Sequence, residues 1–193
     1  MKHFNNLILA SKSPRRKQLL EQTGFDFEVN TIEFDEVFPK DMEASKVAEY
    51  LAVEKNKAHR KAFQKGTIIT ADTVVIFSDT ILGKPKDKAE AKRTLKILSG
   101  KIHQVMSGVC ISDEEKQVSF SNMTEVKFHE LTDEEIEHYV STSSPMDKAG
   151  SYGIQEWIGL IGVEWIKGSY FNVVGLPVDQ VYKVFKEEFE IHH

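Results

Sequence analysis

The sequence predicts an α/β domain: a mixed, twisted sheet with flanking helices. Strand-like and helix-like segments alternate through the first half, and a β-hairpin follows them. The length, 193 residues, suffices for one such domain with a substantial core, and residues 1–193 are read as a single domain.

Leu7-Ile8-Leu9-Ala10 reads as a short buried strand. Ser13-Pro14 opens a helix that runs to about Gln22 and closes at Gly24. Ser13 is a good N-cap, and the missing N–H of Pro14 costs nothing in a first helical turn. Phe25 to Val29 predicts a second strand. Glu43 to Phe63 predicts a long helix, with Val47, Tyr50, Leu51, Ala58 and Ala62 apolar and a charged outer face. Thr67 to Phe77 is rich in β-branched residues and reads as a central strand, with a turn at Ser78-Asp79.

Asp87 to Leu98 predicts a helix capped by Asp87, with Ala91, Leu95 and Leu98 on one face and a stop at Ser99-Gly100. His103–Ser112 and Gln117–His129 read as strands joined by the polar turn Asp113-Glu114-Glu115-Lys116. Thr132 and Glu135 have capping-box spacing at the start of another helix. Ser141 to Gly162, rich in Gly and Ser, reads as a functional loop region, and Pro177 to Glu188 as the last helix.

Composition excludes several classes. A net charge of -5 without a basic stripe argues against a general nucleic-acid binder, so any polyanion must be met by a few placed cations. Cys110 is the sole cysteine, which rules out an intrachain disulfide and fits a reducing compartment; it reads as a buried strand residue. Met1 to Ala10 is too short and polar for a secretion signal, and no apolar run is long enough to span a bilayer. A cytoplasmic protein with no membrane partner is the expectation. His192 and His193 do not make a metal site by themselves.

Six segments carry candidate chemistry. In Ala10-Ser11-Lys12-Ser13-Pro14-Arg15-Arg16 a strand runs into a helix start whose N–H groups, hydroxyls and cations suit a phosphate; a capped surface helix with solvated arginines fits the segment equally well. No Gly-x-x-x-x-Gly-Lys-Ser/Thr sequence occurs, so this is not a P-loop. Asp72 falls within the apolar central strand, where a carboxylate must be paired, bind a cation or be satisfied by backbone N–H groups. Phe34-Asp35-Glu36 offers loop carboxylates for a metal, or a solvated acidic loop. Gly83-Lys84-Pro85 places a lysine on a constrained turn, suited to a phosphate contact or to nothing beyond the turn. Lys55, within a helix, reads as solvent-facing from composition. Gln155 has the donor and acceptor needed to read a base edge, although its surroundings also suit a tight loop.

Together these segments resemble the Maf family of nucleoside triphosphate pyrophosphatases over nearly the whole chain. The anchors are Leu9 to Arg16, Phe34-Asp35-Glu36, Glu54-Lys55, Ala71 to Val75, Leu82 to Pro85, Leu98 to Lys101 and Asp147 to Gln155, in the family's order. The resemblance implies a fold related to the inosine triphosphate pyrophosphatases, with two lobes around a cleft, and a homodimer. It implies Asp72 as proton acceptor, Glu36 and Asp72 as ligands of a divalent cation (Mg2+ or Mn2+), and Asp72, Glu36 and Lys84 as the catalytic set. Ser11, Ser13, Arg15, Arg16, Lys55 and Lys84 would line the triphosphate, while Arg15, Thr73 and Gln155 match positions linked to substrate choice. The loop through Gln155 looks like that of the branch acting on dTTP and UTP, modified pyrimidine nucleotides included. Glu156 departs from the pattern, since glycine is usual there. The implied reaction is metal-assisted attack of water on the α phosphorus. The competing reading is a non-catalytic nucleotide-binding regulator of cell division. Paired acids near a phosphate cradle favour the enzyme.

Overall fold

The computed structural model describes residues 7–191, so His192, His193 and most of the opening decapeptide lie outside it. In chain order come β1 (Leu7–Leu9), α1 (Pro14–Gln22), β2 (Glu28–Val29), α2 (Ala44–Ala62), β3 (Thr67–Phe77), β4 (Thr80–Leu82), α3 (Lys88–Leu98), β5 (Ile102–Ser112), β6 (Gln117–Phe128) and α4 (Asp133–Thr142). Two short 310 turns, Pro145–Asp147 and Ala149–Ser151, precede α5 (Trp157–Gly162), β7 (Val163–Lys167), α6 (Tyr170–Val174) and α7 (Val178–Glu188). The strands form a mixed sheet in the order β2-β1-β3-β5-β6-β7, with β4 paired to β3. β1 is parallel to β2 and β3, whereas β4 and β7 run antiparallel to β3 and β6. This is the α/β architecture with a mixed sheet that the alternation predicts. No helix among the described residues is long and apolar enough to cross a membrane.

The chain divides into two compact units. The first comprises residues 7–72, Ser107–Asn122 and 175–191; the second comprises Thr73–Met106 and Met123–Val174.

In the first unit, Ser13 caps α1 by accepting from the Arg16 N–H, Pro14 takes the first helical position, and Gly24 follows with φ 83°. β2 is shorter than predicted: only Glu28 and Val29 find partners, on Ile8 and Leu9 of the three-residue β1. Phe25, read as strand, instead packs edge-on against Phe185 of α7, with ring centroids 5.1 Å apart. α2 lies tight on the sheet because residue 108 is glycine; a Cβ there would sit 2.2 Å from the Glu49 nitrogen. The Thr70 hydroxyl donates to Ala52 O at 2.7 Å, and Asn56 Nδ2 donates to Ile68 O and Cys110 O. The buried face of α2 therefore includes Asn56 and His59, while Tyr50 is only partly buried and Ala62 is exposed. Cys110 is buried in β5, as read.

In the second unit, Ala91, Leu95 and Leu98 of α3 are buried with Val126, Phe128, Ile136, Tyr139 and Ile158. Asp87 caps α3, and Thr132 and Glu135 form the expected capping box. The segment read as one long loop contains α5, and β7 and α6 follow it. Glycines at 159 and 162 hide the α5 helix from a propensity reading. Gly159 is required there, since a Cβ would lie 1.9 Å from Ile154 O.

Beneath this unit's 149–155 segment, buried His103 shares a 2.7 Å hydrogen bond with the Tyr152 hydroxyl and packs edge-on against Phe128. Burial pushes the imidazole from 6.5 down to about 4. The folded state therefore binds fewer protons than the unfolded state between those values. Stability from this group is complete above pH 6.5 and is lost as pH falls towards 4. Urea unfolding across that range should show wild type losing roughly 3 kcal/mol more than His103→Gln. Parallel pH profiles for the two proteins would contradict this.

Candidate active site

Asp72 sits in the interior of β3, only 7% exposed. A carboxylate so placed needs a cation or a set of donors. It has a cation: Lys55 Nζ, from α2, lies 2.5 Å from Asp72 Oδ1 and 2.7 Å from Glu36 Oε1. Glu36 comes from the segment between β2 and α2 and is partly exposed. The solvent-facing reading of Lys55 is thus corrected, since its side chain is 13% exposed and turned inward. Lys55 continues the stripe Val47, Leu51, Lys55, His59, spaced by four along the buried side of α2.

His59, which the sequence reading passed over, joins two parts of this arrangement. Its Nε2 accepts the Ile32 N–H at 3.2 Å, so Nδ1 carries the ring hydrogen and donates to Lys55 O at 2.7 Å. The ring is neutral: burial lowers its pKa and the Lys55 charge acts in the same direction, against the hydrogen bond to the Lys55 carbonyl. His59 thereby ties the segment leading to Glu36 to the helix that carries Lys55. Its signal in the sequence was a polar residue at the end of an apolar stripe.

The start of α1 reaches the same region. Ser11 Oγ accepts the Ser13 N–H at 3.2 Å, and Ser13 Oγ accepts the Arg16 N–H. Accepting through oxygen leaves each hydroxyl hydrogen as a donor. Arg16 Nη1 donates to Ala71 O at 2.8 Å, one residue from Asp72, and its Nε donates to Gly175 O at 2.8 Å. Burial works against the guanidinium charge, while Asp72 and Glu36 favour it. Arg15, the next cation on the same turn, is half-buried. The structure thus brings Ser11, Ser13, Arg16, Glu36, Lys55 and Asp72 together within the first unit, with Arg15 on the same turn of α1.

Thr73, Lys84 and Gln155 belong to the second unit. Thr73 follows Asp72 on β3 and is half-buried, and Lys84 is exposed on the turn after β4. Gly150 N–H donates to Gly83 O at 3.2 Å, which links the Lys84 turn to the segment carrying Gln155. Gly150 has φ 68°, and a Cβ there would meet Val75 Cγ2 at 2.8 Å, so only glycine fits. Gln155 is exposed between buried Ile154 and half-buried Glu156. No group of three or more His, Cys, Asp or Glu side chains placed to hold a metal occurs among the described residues.

A family model described as Maf-like protein matches residues 6–188. The chain belongs to the Maf-like family. Among the relatives of this Maf-like chain is a protein of Phocaeicola vulgatus named dTTP/UTP pyrophosphatase, 50% identical over 183 residues, covering 94% of this chain and 95% of that one. Proteins of the same name from Porphyromonas gingivalis and Bacteroides thetaiotaomicron are 48% and 46% identical, over 94% of this chain and 93% and 95% of theirs. The structure of the Ham1 protein of Staphylococcus aureus is similar at TM-score 0.47 and 18% identity, covering 64% of this chain and 71% of that chain.

Glu156, where the Maf pattern has glycine, is not a loose surface charge. It accepts a hydrogen bond from the Tyr139 hydroxyl and pairs with Lys148 at 3.0 Å.

Lys55→Met would leave Asp72 and Glu36 facing each other without their shared ammonium. Breaking one side of a largely buried pair, discounted for the exposure of Glu36, should cost about 2–3 kcal/mol. Urea unfolding at pH 7 measures it. Adding Asp72→Asn should recover most of the loss; a strictly additive double variant would show that the two residues are not coupled.

Proposed function

We propose that this Maf-like chain is a nucleoside triphosphate pyrophosphatase that hydrolyses dTTP and UTP, and modified pyrimidine triphosphates, to the monophosphate and pyrophosphate. The observation that carries the reading is the convergence of Asp72 and Glu36 on one cationic atom, with Arg16 anchored one residue from Asp72. Relatives at 46–50% identity that bear the name dTTP/UTP pyrophosphatase support the choice of substrate. The family match spans residues of both units, which supports treating residues 1–193 as one Maf-like domain.

A divalent cation, Mg2+ or Mn2+, belongs to the same proposal, with Glu36 and Asp72 as its protein ligands. Their oxygens fit it: both already face a single positive atom, and Mg2+ is commonly held by one or two carboxylates with substrate phosphates and water completing the shell. When bound, such an ion would neutralise phosphate charge and make a coordinated water more acidic. Asp72 takes the proton from the water that attacks the α phosphorus. Ser11, Ser13, Arg15 and Lys55 contact the triphosphate, while Arg16 fixes the Ala71 carbonyl beside Asp72 and adds its charge. Lys84 stabilises charge on the departing pyrophosphate. Thr73 and Gln155 set the choice of nucleoside, with Gln155 as the contact to the base edge. A net charge of -5 argues against a nucleic-acid polymer as substrate. Cytoplasmic location and a homodimer complete the proposal; buried, unpaired Cys110 supports the first, and exposed Trp157, Leu160 and Ile161 support the second.

Asp72→Asn should keep the fold by circular dichroism, melting somewhat lower because Lys55 loses one of its two carboxylates, yet lower kcat on dTTP by roughly a thousandfold with Mg2+ present. Near-normal turnover would remove Asp72 as the base. Chromatography of wild-type products should show monophosphate and pyrophosphate; orthophosphate with a diphosphate would place the cut at the other bond. Arg15→Ala should raise KM by about tenfold or more through a lost charge-assisted contact. Unchanged steady-state constants would move the phosphate cradle away from α1.

A further inference from the structure

The four residues Gly153 to Glu156 form a turn closed by the Glu156 N–H donating to Gly153 O at 3.0 Å. Ile154 and Gln155 are its central residues; Ile154 is buried and Gln155 is exposed. The Glu156 carboxylate accepts from the Tyr139 hydroxyl on one oxygen and from Lys148 Nζ on the other, at 3.0 Å. The Tyr139 oxygen also accepts the Gly153 N–H at 3.1 Å, so one buried hydroxyl holds both ends of the turn. Glu156 O accepts the N–H groups of Gly159 and Leu160, and with that every polar atom of Glu156 is engaged. Lys148 is fixed in turn by Asp147 Oδ1 and Ser144 O, each at 2.7 Å. Gly153 fits against the Glu156 side chain, where a Cβ would lie 2.8 Å from Cδ. Burial and the Glu156 carboxylate keep the Tyr139 hydroxyl protonated, as a donor.

We infer that Glu156 is a positioning residue for base recognition: it locks this turn and so sets the direction in which Gln155 presents its amide. The inference rests on the reading of Gln155 as the base contact given under Proposed function. A primary amide offers one donor and one acceptor side by side. It can pair with the N3–H and a carbonyl oxygen of uracil or thymine, whereas cytosine has an acceptor at N3 and an amino group in place of O4. Telling the two apart requires the amide in one fixed orientation, because a site gains selectivity from hydrogen bonds that the wrong base leaves unmade. Gln155, being exposed, has little packing to hold it, so its orientation follows from the backbone on either side. Ile154 anchors one side by burial and Glu156 the other by hydrogen bonds.

The test compares wild type, Glu156→Ala, Glu156→Gln, Tyr139→Phe and Gln155→Ala. Steady-state kinetics on UTP and CTP with Mg2+ would be paired with amide hydrogen exchange at Gly153 and Glu156. Glu156→Ala and Tyr139→Phe should speed exchange at both amides and lower the UTP-over-CTP ratio of kcat/KM by about tenfold, the loss falling mainly on KM for UTP. Glu156→Gln keeps an acceptor for Tyr139 and should retain most of the ratio, which separates the role from general loss of folding. Combining Gln155→Ala with Glu156→Ala should lower the ratio no further than Gln155→Ala alone. A wild-type ratio in Glu156→Ala, with or without faster exchange, overturns the inference while leaving the reaction standing. A wild type that cleaves no pyrimidine triphosphate overturns the assigned reaction, and this role falls with it.

Discussion

The ammonium of Lys55 between two carboxylates is the interaction on which the first unit depends. β3 is buried, and its flanking residues Thr70, Ala71 and Val74 leave Asp72 little access to water. An acid in that position is unstable without a positive partner. Lys55 supplies one only because α2 is held at a fixed height over the sheet. Gly108 lets the backbone of α2 approach at Ala48 and Glu49, the Thr70 hydroxyl holds Ala52 O, and Asn56 is tied to β3 and β5. These contacts lie within two turns of Lys55 along the helix. A shift of α2 by one residue would carry Lys55 away from Asp72, so core packing and site geometry are set by the same contacts.

Oxygen pairs that hold an ammonium can also hold a harder cation, because both are met by converging negative charge. A lysine occupying such a pair offsets the repulsion between the two acids. Glu36 is the more adaptable partner, since its side chain is 40% exposed and sits on an irregular segment, whereas Asp72 is fixed by the sheet. The pair thus joins an acid set by the sheet to one set by an irregular, partly exposed segment.

Local signals in the sequence were read well because they act locally. The Ser13 cap with Pro14, the Asp87 cap, the Thr132–Glu135 capping box and the bounds of β3 all depend on residues within one turn or one strand. The α2 stripe was harder. Val47 and Leu51 mark the buried side, but Lys55, Asn56 and His59 continue it with polar side chains, and hydropathy alone assigns such residues to solvent. Their burial is a tertiary fact, set by carbonyls and carboxylates arriving from elsewhere in the chain. Phe25 was misread for a similar reason: β1 is too short to pair with it, and Phe185 lies far along the sequence. In α5 and α6, glycines and short length removed the periodicity that would have announced a helix.

Two irregular segments carry candidate functional residues, and each is fastened by a side chain rather than by a ladder. His59 takes the Ile32 N–H ahead of Glu36, and Tyr139 with Glu156 closes the turn around Gln155. Irregular backbone has polar groups that no helix or strand satisfies, so buried side chains must satisfy them. Apolar packing could bury these segments but would not orient them, because dispersion and the hydrophobic effect have no preferred direction. Hydrogen bonds do have one, and in a weakly polar interior an unmade bond is costly enough to enforce it. The polar side chains that fasten these segments thus make a few loop residues directional.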